Sequence, residues 1–230
     1  LTWRRLGSYL RPIRPETYRA EPLGRTLAIG VPIGLQILLE FGVFGLVGLL
    51  LGRVGVAAVA GHQVALNYAS ITFMVPLGIG AAAASLVGRA VGARDVDRAR
   101  RVAVAALIVG ATFMVMTATL LIGIPGWLAS LYSPDPGVIA MAAALIPLAG
   151  LFQVFDGTQA VAMGVLRGIG DTRLPIVVNL IGYYAVGLPV GLYLAFTVGW
   201  GARGLWLGLV AGLAVVAVAL VARVRSRMRR

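Results

Sequence analysis

The stretch LAIGVPIGLQILLEFGVFGLVGLLL at residues 27–51 is a continuous apolar run with one charged residue, Glu40. A helix of about 20 apolar residues spans the roughly 30 Å hydrocarbon core of a bilayer, and this run reaches that length. The run is continuous, so it lacks the alternating pattern typical of a membrane β-barrel strand. We therefore predict a transmembrane helix here.

Five further apolar segments of similar length follow it. They cover residues 56–87, 102–122, 138–166, 174–198 and 205–222. The sequence thus predicts an all-α polytopic membrane protein with six transmembrane helices in one lobe, residues 25–222. A proline- and arginine-rich linker, residues 1–24, precedes the lobe, and a basic tail, residues 223–230, follows it.

The composition of the 230 residues supports a membrane protein: 60% are hydrophobic and 12% are charged. Soluble domains carry about 25% charged residues. The chain has no cysteine. These values exclude a typical soluble enzyme, a disordered tail and a disulfide scaffold.

The positive charge follows the predicted topology. All 20 basic residues are arginines and the net charge is +12. Eighteen of them lie on one set of alternating segments: the amino-terminal stretch, the second and fourth linkers, and the tail. Because cytoplasmic loops of membrane proteins are enriched in arginine, we predict that both ends of this segment are cytoplasmic and that the membrane is the inner (plasma) membrane. Topology explains the arginines, so we predict no nucleic-acid partner.

Glycines spaced by four residues recur along the segments, as in Gly30/Gly34, Gly187/Gly191 and Gly204/Gly208. Small residues at this spacing let membrane helices approach closely, either as static packing or as sliding contacts. Prolines inside the segments, such as Pro32, Pro76 and Pro189, are expected to bend their helices.

Two acidic residues lie deep in the apolar segments: Glu40 in the first and Asp156 in the fourth. A charge at that depth costs about 2.5–3.5 kcal/mol on insertion scales. Each acid either serves function or forms a structural hydrogen bond between helices. No arginine is expected at the same depth, which favours function. Asp171, in a linker, is expected to pair locally with Arg167 or Arg173.

Polar and aromatic side chains near the two acids predict a pocket inside the bundle. Its predicted members are Gln36, Gln63, Asn67, Phe152, Gln153, Gln159, Asn179 and Tyr183. An acidic pocket attracts cations and can bind protons, so Glu40 and Asp156 are the candidate coupling residues. The only metal expected at these two residues is a sodium ion. His62 is either a proton relay or a buried hydrogen-bonding residue.

Seven motifs in order along the chain resemble the carboxyl-terminal half of a multidrug and toxic compound extrusion (MATE) transporter. They are GVPIGLQILLE at 30–40, AGHQVALN at 60–67, MVPLGIGA at 74–81, VGRAVGA at 87–93, FDGTQ at 155–159, LRGIGDT at 166–172 and YYAVGLP at 183–189. Each motif is weak by itself, but the set in this order is specific.

The resemblance implies a twelve-helix transporter of two six-helix lobes, of which this chain forms helices seven to twelve, with residues 1–24 as the linker between lobes. The family exports cationic or amphipathic drugs in exchange for sodium ions or protons. Glu40 matches its acid on helix seven and Asp156 its acid on helix ten, while Phe152 stands where some members have a tyrosine. The resemblance implies no cofactor. The expected partners are membrane lipid, an organic cation or drug, and the missing amino-terminal lobe, so we expect the chain to be part of a longer protein.

Three other classes of membrane protein are alternatives to this transporter. A flippase for lipid-linked saccharides shares the superfamily, but its cavity would be basic. An intramembrane serine protease would need a G-x-S-type motif, and a water or potassium channel would need Asn-Pro-Ala or Thr-Val-Gly-Tyr-Gly motifs. None of these motifs occurs in the sequence. The sequence therefore predicts a transporter and no enzyme.

Overall fold

A computed structural model describes residues 20–228 of the chain as a helical bundle. Its helices are α1 (Ala20–Leu51), α2 (Val56–Gly92), α3 (Val96–Gly123), the short α4 (Pro125–Ser130), α5 (Pro136–Gly168), α6 (Arg173–Thr197) and α7 (Gly201–Arg227). Among the described residues, six helices, all but α4, are long and apolar enough to cross a membrane. The predicted six-helix all-α fold is confirmed.

The ends of the predicted lobe differ from those in the structure. Helix α1 begins at Ala20, inside the predicted linker, because the first turn of a helix tolerates a proline such as Pro22. Helix α7 continues through the predicted tail to Arg227. Arginine forms helices well, and cations are stabilised near a helix carboxyl end. The predictions for residues 1–19 and 229–230 lie outside the described residues.

Aspartates outside the apolar segments begin two of the helices. The Asp135 carboxylate accepts hydrogen bonds from the backbone N–H groups of Gly137 (2.7 Å) and Val138 (3.2 Å) at the start of α5. Asp95 likewise accepts from the N–H of Arg98 (2.9 Å) at the start of α3. Side-chain oxygens at this position satisfy amide hydrogens that have no partner inside the helix. These two acids are therefore helix caps.

Helix α6 is irregular around Pro189. It is α-helical at Arg173–Asn179, π-helical at Leu180–Gly187, α-helical again at Leu188–Leu192 and π-helical at Tyr193–Thr197. Proline has no N–H, and its ring clashes with the carbonyl four residues earlier, so a widened turn before it relieves the conflict. The π segment contains Tyr183 and Tyr184, and it sets the direction of both side chains.

Helix α5 lies at the centre of the bundle and packs against α2, α3, α4 and α7. Helix α6 packs along α7, and α1 packs mainly against α6. Large apolar side chains of α1, including Leu38 (68% exposed) and Phe41 (71% exposed), point away from the bundle. Much of the surface of α1 is thus free to contact lipid or another part of the protein.

Two glycine contacts bring helix backbones together. A Cβ at Gly164 of α5 would overlap the backbone of Gly80 of α2. A Cβ at Gly208 of α7 would overlap the backbone of Gly191 of α6. The predicted close packing is therefore present at these glycines. At Gly30 and Gly34 of α1, by contrast, no described residue lies within 4 Å of a Cβ built on the backbone.

Asp171, in the turn between α5 and α6, joins the end of α7. Its carboxylate accepts hydrogen bonds from Nε of Arg223 (2.9 Å) and Nε of Arg227 (3.0 Å), and it forms an ion pair with Nη2 of Arg223 (2.8 Å). The expectation that Asp171 pairs with Arg167 or Arg173 was wrong. The last turns of α7 bring Arg223 and Arg227, four residues apart on one helix face, over the turn. Sequence neighbours could not reveal this contact.

We expect Asp171→Asn to destabilise the lobe by about 1 kcal/mol, because the two arginines are partly exposed and solvent screens the ion pairs. The measurement is the thermal unfolding midpoint of the purified protein in detergent, which should fall. In Arg223→Gln/Arg227→Gln protein, the same Asp171→Asn change should have almost no further effect. Additive losses in that double-mutant cycle would contradict the pairing.

Candidate functional site

Gln159 of α5 joins side chains from three helices. Its Nε2 donates hydrogen bonds to Oε1 of Glu40 on α1 (3.1 Å) and to the hydroxyl oxygen of Tyr183 on α6 (3.2 Å). An amide nitrogen carries two hydrogens, so both are used. Gln159 and Tyr183 are fully buried. The amide therefore fixes Glu40 against the interior of the bundle.

Asp156 lies three residues before Gln159, on a neighbouring face of α5, and is 6% exposed. It is within electrostatic range of Glu40 and of Tyr183. Its Oδ1 is buried and has no hydrogen-bond partner among the described residues, and the same holds for Oε1 of Gln159. We call Glu40, Asp156, Gln159 and Tyr183 the acidic cluster.

The acidic cluster follows from an antiparallel register between α1 and α5. Glu40 meets Gln159, and one turn earlier on α1, Gln36 contacts the sulfur of Met163, one turn later on α5. Further along, the rings of Phe44 and Phe152 meet edge to face, with centroids 5.7 Å apart. Residues four apart share a helix face, so this spacing keeps the polar side chains in register.

The two carboxyl groups define what the cluster can do. When both are charged they repel, and in a low-dielectric interior a proton or cation placed between them is strongly stabilised. Unpartnered oxygens on Asp156 and Gln159 add further acceptors of the kind that hard cations prefer. Among the described residues, no group of three or more His, Cys, Asp or Glu side chains could hold a metal ion.

Arg167, just past the end of the predicted fourth segment, interacts electrostatically with Glu40. It lies two turns beyond Gln159, and its Nε is buried without a hydrogen-bond partner among the described residues. A long arginine side chain carries its charge away from its own Cα position, so it can act from beyond the end of the segment. Among the described residues, no ion pair joins Arg167 to Glu40. The expectation that no arginine lies at the depth of the acids therefore stays a prediction.

Tyr184 anchors α6 to α1 beside the cluster. Its hydroxyl donates to the backbone carbonyl of Leu39 (3.0 Å), the residue before Glu40. Asn179, one turn before Tyr183, is fully buried, and both its amide atoms lack partners among the described residues. Glu40, Asp156, Gln159 and Tyr183 thus lie together, and Gln36 and Asn179 are buried on helices that carry members of the cluster.

Gln153 does not join the acidic cluster. Its Oε1 accepts a hydrogen bond from Thr72 of α2 (2.5 Å), and its Nε2 donates to Thr117 of α3 (2.8 Å). Both ends of the amide are therefore used to connect three helices. In the structure, Gln153 therefore bridges helices and does not occupy the predicted pocket position.

Phe152, one helical turn before Asp156 on α5, lies in an aromatic group. Its ring centroid is 6.0 Å from that of Trp206, which in turn lies 5.6 Å from that of His62. All three side chains are buried. His62 Nδ1 has no hydrogen-bond partner among the described residues. Phe152 is therefore an apolar core residue that packs where α1 and α5 meet, next to the acidic cluster.

Gln63 and Asn67 lie on the surface of the lobe, outside the buried cluster. Both are exposed, and Ser70, also exposed, extends their row along the same face of α2. The prediction that Gln63 and Asn67 belong to an interior pocket of this lobe was wrong. Hydrocarbon cannot hydrogen-bond to such groups, so a polar row in a membrane-spanning helix is expected to face water or protein. Periodicity placed the two residues together but could not say on which side of the helix the lobe lies.

The structure is a bundle of six membrane-spanning helices that carries a buried acid, Asp156, and a half-buried one, Glu40. Acids inside membrane-spanning segments are typical of polytopic proteins with an intramembrane functional site. The MatE family model matches residues 32–193 of the chain. The chain therefore belongs to the MatE family of membrane proteins, and it is a multi-pass membrane protein.

Relatives and solved structures agree with this assignment. Multidrug resistance protein NorM of Burkholderia vietnamiensis is 44% identical over 206 residues, 87% of this chain and 45% of the relative. Multidrug resistance protein PmpM of Pseudomonas aeruginosa is 40% identical over 216 residues, 90% of this chain and 44% of the relative. The chain thus spans about half the length of the curated relatives it matches.

The fold is shared with solved MATE transporters. The crystal structure of the eukaryotic MATE transporter AtDTX14 superposes with a TM-score of 0.83 at 27% identity, covering 97% of this chain and 55% of that one. The bent form of the Vibrio cholerae MATE transporter VcmN gives a TM-score of 0.86 at 17% identity, covering 100% of this chain and 52% of that one. The second likeness concerns the fold alone.

Proposed function

We propose that this chain is the second six-helix half of an antiporter that exports organic cations or drugs in exchange for protons or sodium ions. The observation that carries the proposal is the acidic cluster, in which Gln159 holds Glu40 beside the buried and unpartnered Asp156. Membrane-embedded acids of this kind are typical of ion and substrate pathways. The multidrug resistance relatives support the choice of cargo.

The exposed polar row of α2 supports a second lobe as partner. Gln63 and Asn67 would line an aqueous cleft between the two halves, where an organic cation could meet them. The exposed apolar side chains of α1 would contact that lobe or membrane lipid. The proposed partners are therefore the amino-terminal six-helix lobe, the substrate and lipid. The proposal involves no nucleic acid, no catalytic chemistry and no cofactor beyond the transported ion.

Helix α1 provides a way for the ion to change the shape of the lobe. It carries Glu40, and it is joined to α5 and α6 through the side chains of Gln36, Glu40 and Tyr184. A proton or sodium ion on the acidic pair removes repulsion, and an organic cation competes for the same charge. Such competition shifts the populations of two conformations and gives alternating access.

The proposed location is the inner (plasma) membrane, with the arginine-rich end of the lobe in the cytoplasm. This end is where α2 ends at Gly92, α3 begins at Val96, α5 ends at Gly168 and α7 ends at Arg227. Its arginines follow the pattern typical of cytoplasmic loops. The saccharide-flippase alternative is not favoured, because the buried cluster is acidic and the relatives are named for multidrug resistance.

The test is efflux of a fluorescent organic cation from cells that express the native, full-length gene with Glu40→Gln. Glutamine keeps the size and hydrogen bonding of the side chain and removes its charge. We expect efflux to fall to the level of cells without the gene, at unchanged membrane abundance. Everted vesicles driven by a proton or a sodium gradient then identify the coupling ion. Normal efflux by this variant, or transport that ignores both gradients, would contradict the proposal.

A further inference from the structure

Two adjacent grooves lie along α7: the first opens between α5 and α7, and the second opens between α3 and α7 over Thr158 of α5. The first has a volume of about 820 Å³ and is lined by Val154 and Thr158 of α5 and by the α7 segment 217–226. The second, of about 460 Å³, is lined by the α3 segment 100–111 and shares Thr158, Val221 and Arg225 with the first. We call them together the α3/α7 groove.

The α3/α7 groove lies on the side of α5 away from the acidic cluster. Thr158 follows Asp156 by two residues, which is about 200° around a helix of 3.6 residues per turn. Helices α3 and α7 both pack on α5, whereas Glu40 approaches α5 on α1. The groove therefore belongs to a different surface from the proposed transport site and from the polar row of α2.

The walls of the groove are apolar up to its arginine-rich end. Val104, Leu107 and Ile108 of α3 line the second groove. Ala217 and Val218 of α7 line the first, and Val221 is shared by both. The hydroxyl of Thr158 donates to the backbone carbonyl of Val154 (2.7 Å), so it presents no unpaired hydrogen to the groove. A dry, apolar surface of this kind accepts hydrocarbon without leaving polar groups unpaired.

Charge is confined to one end of the groove. Arg100 and Arg225 line the same groove from α3 and α7, and Ser226 lies beside Arg225. Among the described residues that line the groove, none is acidic. The two arginines lie near the start of α3 and the end of α7, where lipid headgroups meet a membrane-spanning helix. A phosphate is the group that complements them.

The length of the groove matches one leaflet. From Arg100 to Ala111 the helix rises about 16 Å at 1.5 Å per residue. Half of a hydrocarbon core of roughly 30 Å is about 15 Å. The groove thus combines a cationic mouth at headgroup level with apolar walls that end near the bilayer centre.

From this geometry we propose that the α3/α7 groove binds an anionic phospholipid, with its phosphate on Arg100 and Arg225 and its acyl chains against Val104, Val218 and Val221. Basic pockets between transmembrane helices bind anionic headgroups by this combination of charge and apolar contact. The lipid would fill the gap between α3 and α7 and hold both helices on α5. The site is independent of the acidic cluster.

The test is native mass spectrometry of the full-length protein in detergent with added phosphatidylglycerol or phosphatidylcholine. We expect retained phosphatidylglycerol on the parent, and binding about 10- to 30-fold weaker in Arg100→Gln/Arg225→Gln. The matched control Arg98→Gln/Arg101→Gln removes the same charge from exposed positions near the same end of α3, outside the groove lining. It should bind like the parent.

A second variant tests the apolar walls without changing charge. Val104→Trp/Val218→Trp places one large side chain in each of the two grooves. The native valines are 49% and 67% exposed, so the fold should tolerate the larger side chains. We expect weaker phosphatidylglycerol binding with normal gel filtration. If the control Arg98→Gln/Arg101→Gln weakens phosphatidylglycerol binding as much as Arg100→Gln/Arg225→Gln does, the lipid is attracted by positive charge in general. That result would overturn the proposal. The proposal would also be overturned by unchanged phosphatidylglycerol binding in the tryptophan variant or by equal retention of phosphatidylcholine. The same holds if no lipid is retained because another part of the protein covers the groove.

Discussion

Asp156→Asn is expected to remove drug efflux while leaving the protein folded in the membrane. The carboxylate is 6% exposed and its Oδ1 has no hydrogen-bond partner among the described residues. Asparagine keeps its shape, so little packing is lost, but the charge that would bind a cation is gone. Loss of one partner from a buried charge pair costs about 2–5 kcal/mol, which corresponds to roughly 30-fold or more in affinity.

The measurement is efflux of a fluorescent organic cation at equal membrane abundance, together with binding of that cation to the purified full-length protein. Asp97→Asn is the matched control, because it makes the same chemical change at an exposed position in the first turn of α3. That variant should transport like the parent. If Asp156→Asn also transports normally, Asp156 is a structural residue and the ion site must lie elsewhere.

Gly164→Ala is expected to give the largest loss of folded protein. Gly164 of α5 packs on Gly80 of α2, and a Cβ there would overlap the Gly80 backbone, which cannot rotate away as a flexible side chain could. In the other direction, a Cβ on Gly80 would lie 2.8 Å from the carbonyl oxygen of Ala160. Overpacking of a core costs about 1–3 kcal/mol. The central α2–α5 contact must therefore open for the variant to fold.

The readouts are membrane abundance and the thermal unfolding midpoint in detergent, and both should fall. Gly78→Ala provides the comparison on α2, the helix that Gly164 contacts, since no described residue lies within 4 Å of a Cβ at Gly78. Alanine is favoured over glycine in helices by about 1 kcal/mol, so this control should be neutral or slightly stabilised. A Gly164→Ala protein as stable as the control would show that the helices separate easily and that the contact slides.

Much of the candidate site could be predicted from spacing. Glu40 and Asp156 stand out because charge is expensive in hydrocarbon, and the amide of Gln159 lies one helical turn from Asp156. Tyr183 was included as a nearby hydroxyl, and the structure hydrogen-bonds it to Gln159. Their roles in ion binding remain predictions that the substitutions above test.

Whether the other predicted members lie in the pocket depends on which way each helix faces. Gln153 is as close to Asp156 in sequence as Gln159 is, yet it bonds to Thr72 and Thr117 on other helices. Gln63 and Asn67 share a face of α2, but that face is exposed. A nearly uniform apolar helix gives no amphipathic signal to orient it, so sequence cannot choose between inside and outside.

Apolar run lengths and two acids at depth are enough to predict a six-helix membrane protein, because hydrocarbon admits only long apolar helices and penalises charge. The hydrogen-bond and ion-pair partners could be read only from the folded bundle. Gln159 binds Glu40 and Tyr183, and Asp171 binds Arg223 and Arg227. These contacts join residues 24 to 119 positions apart. Helix rotation and packing set them, and no local pattern encodes either.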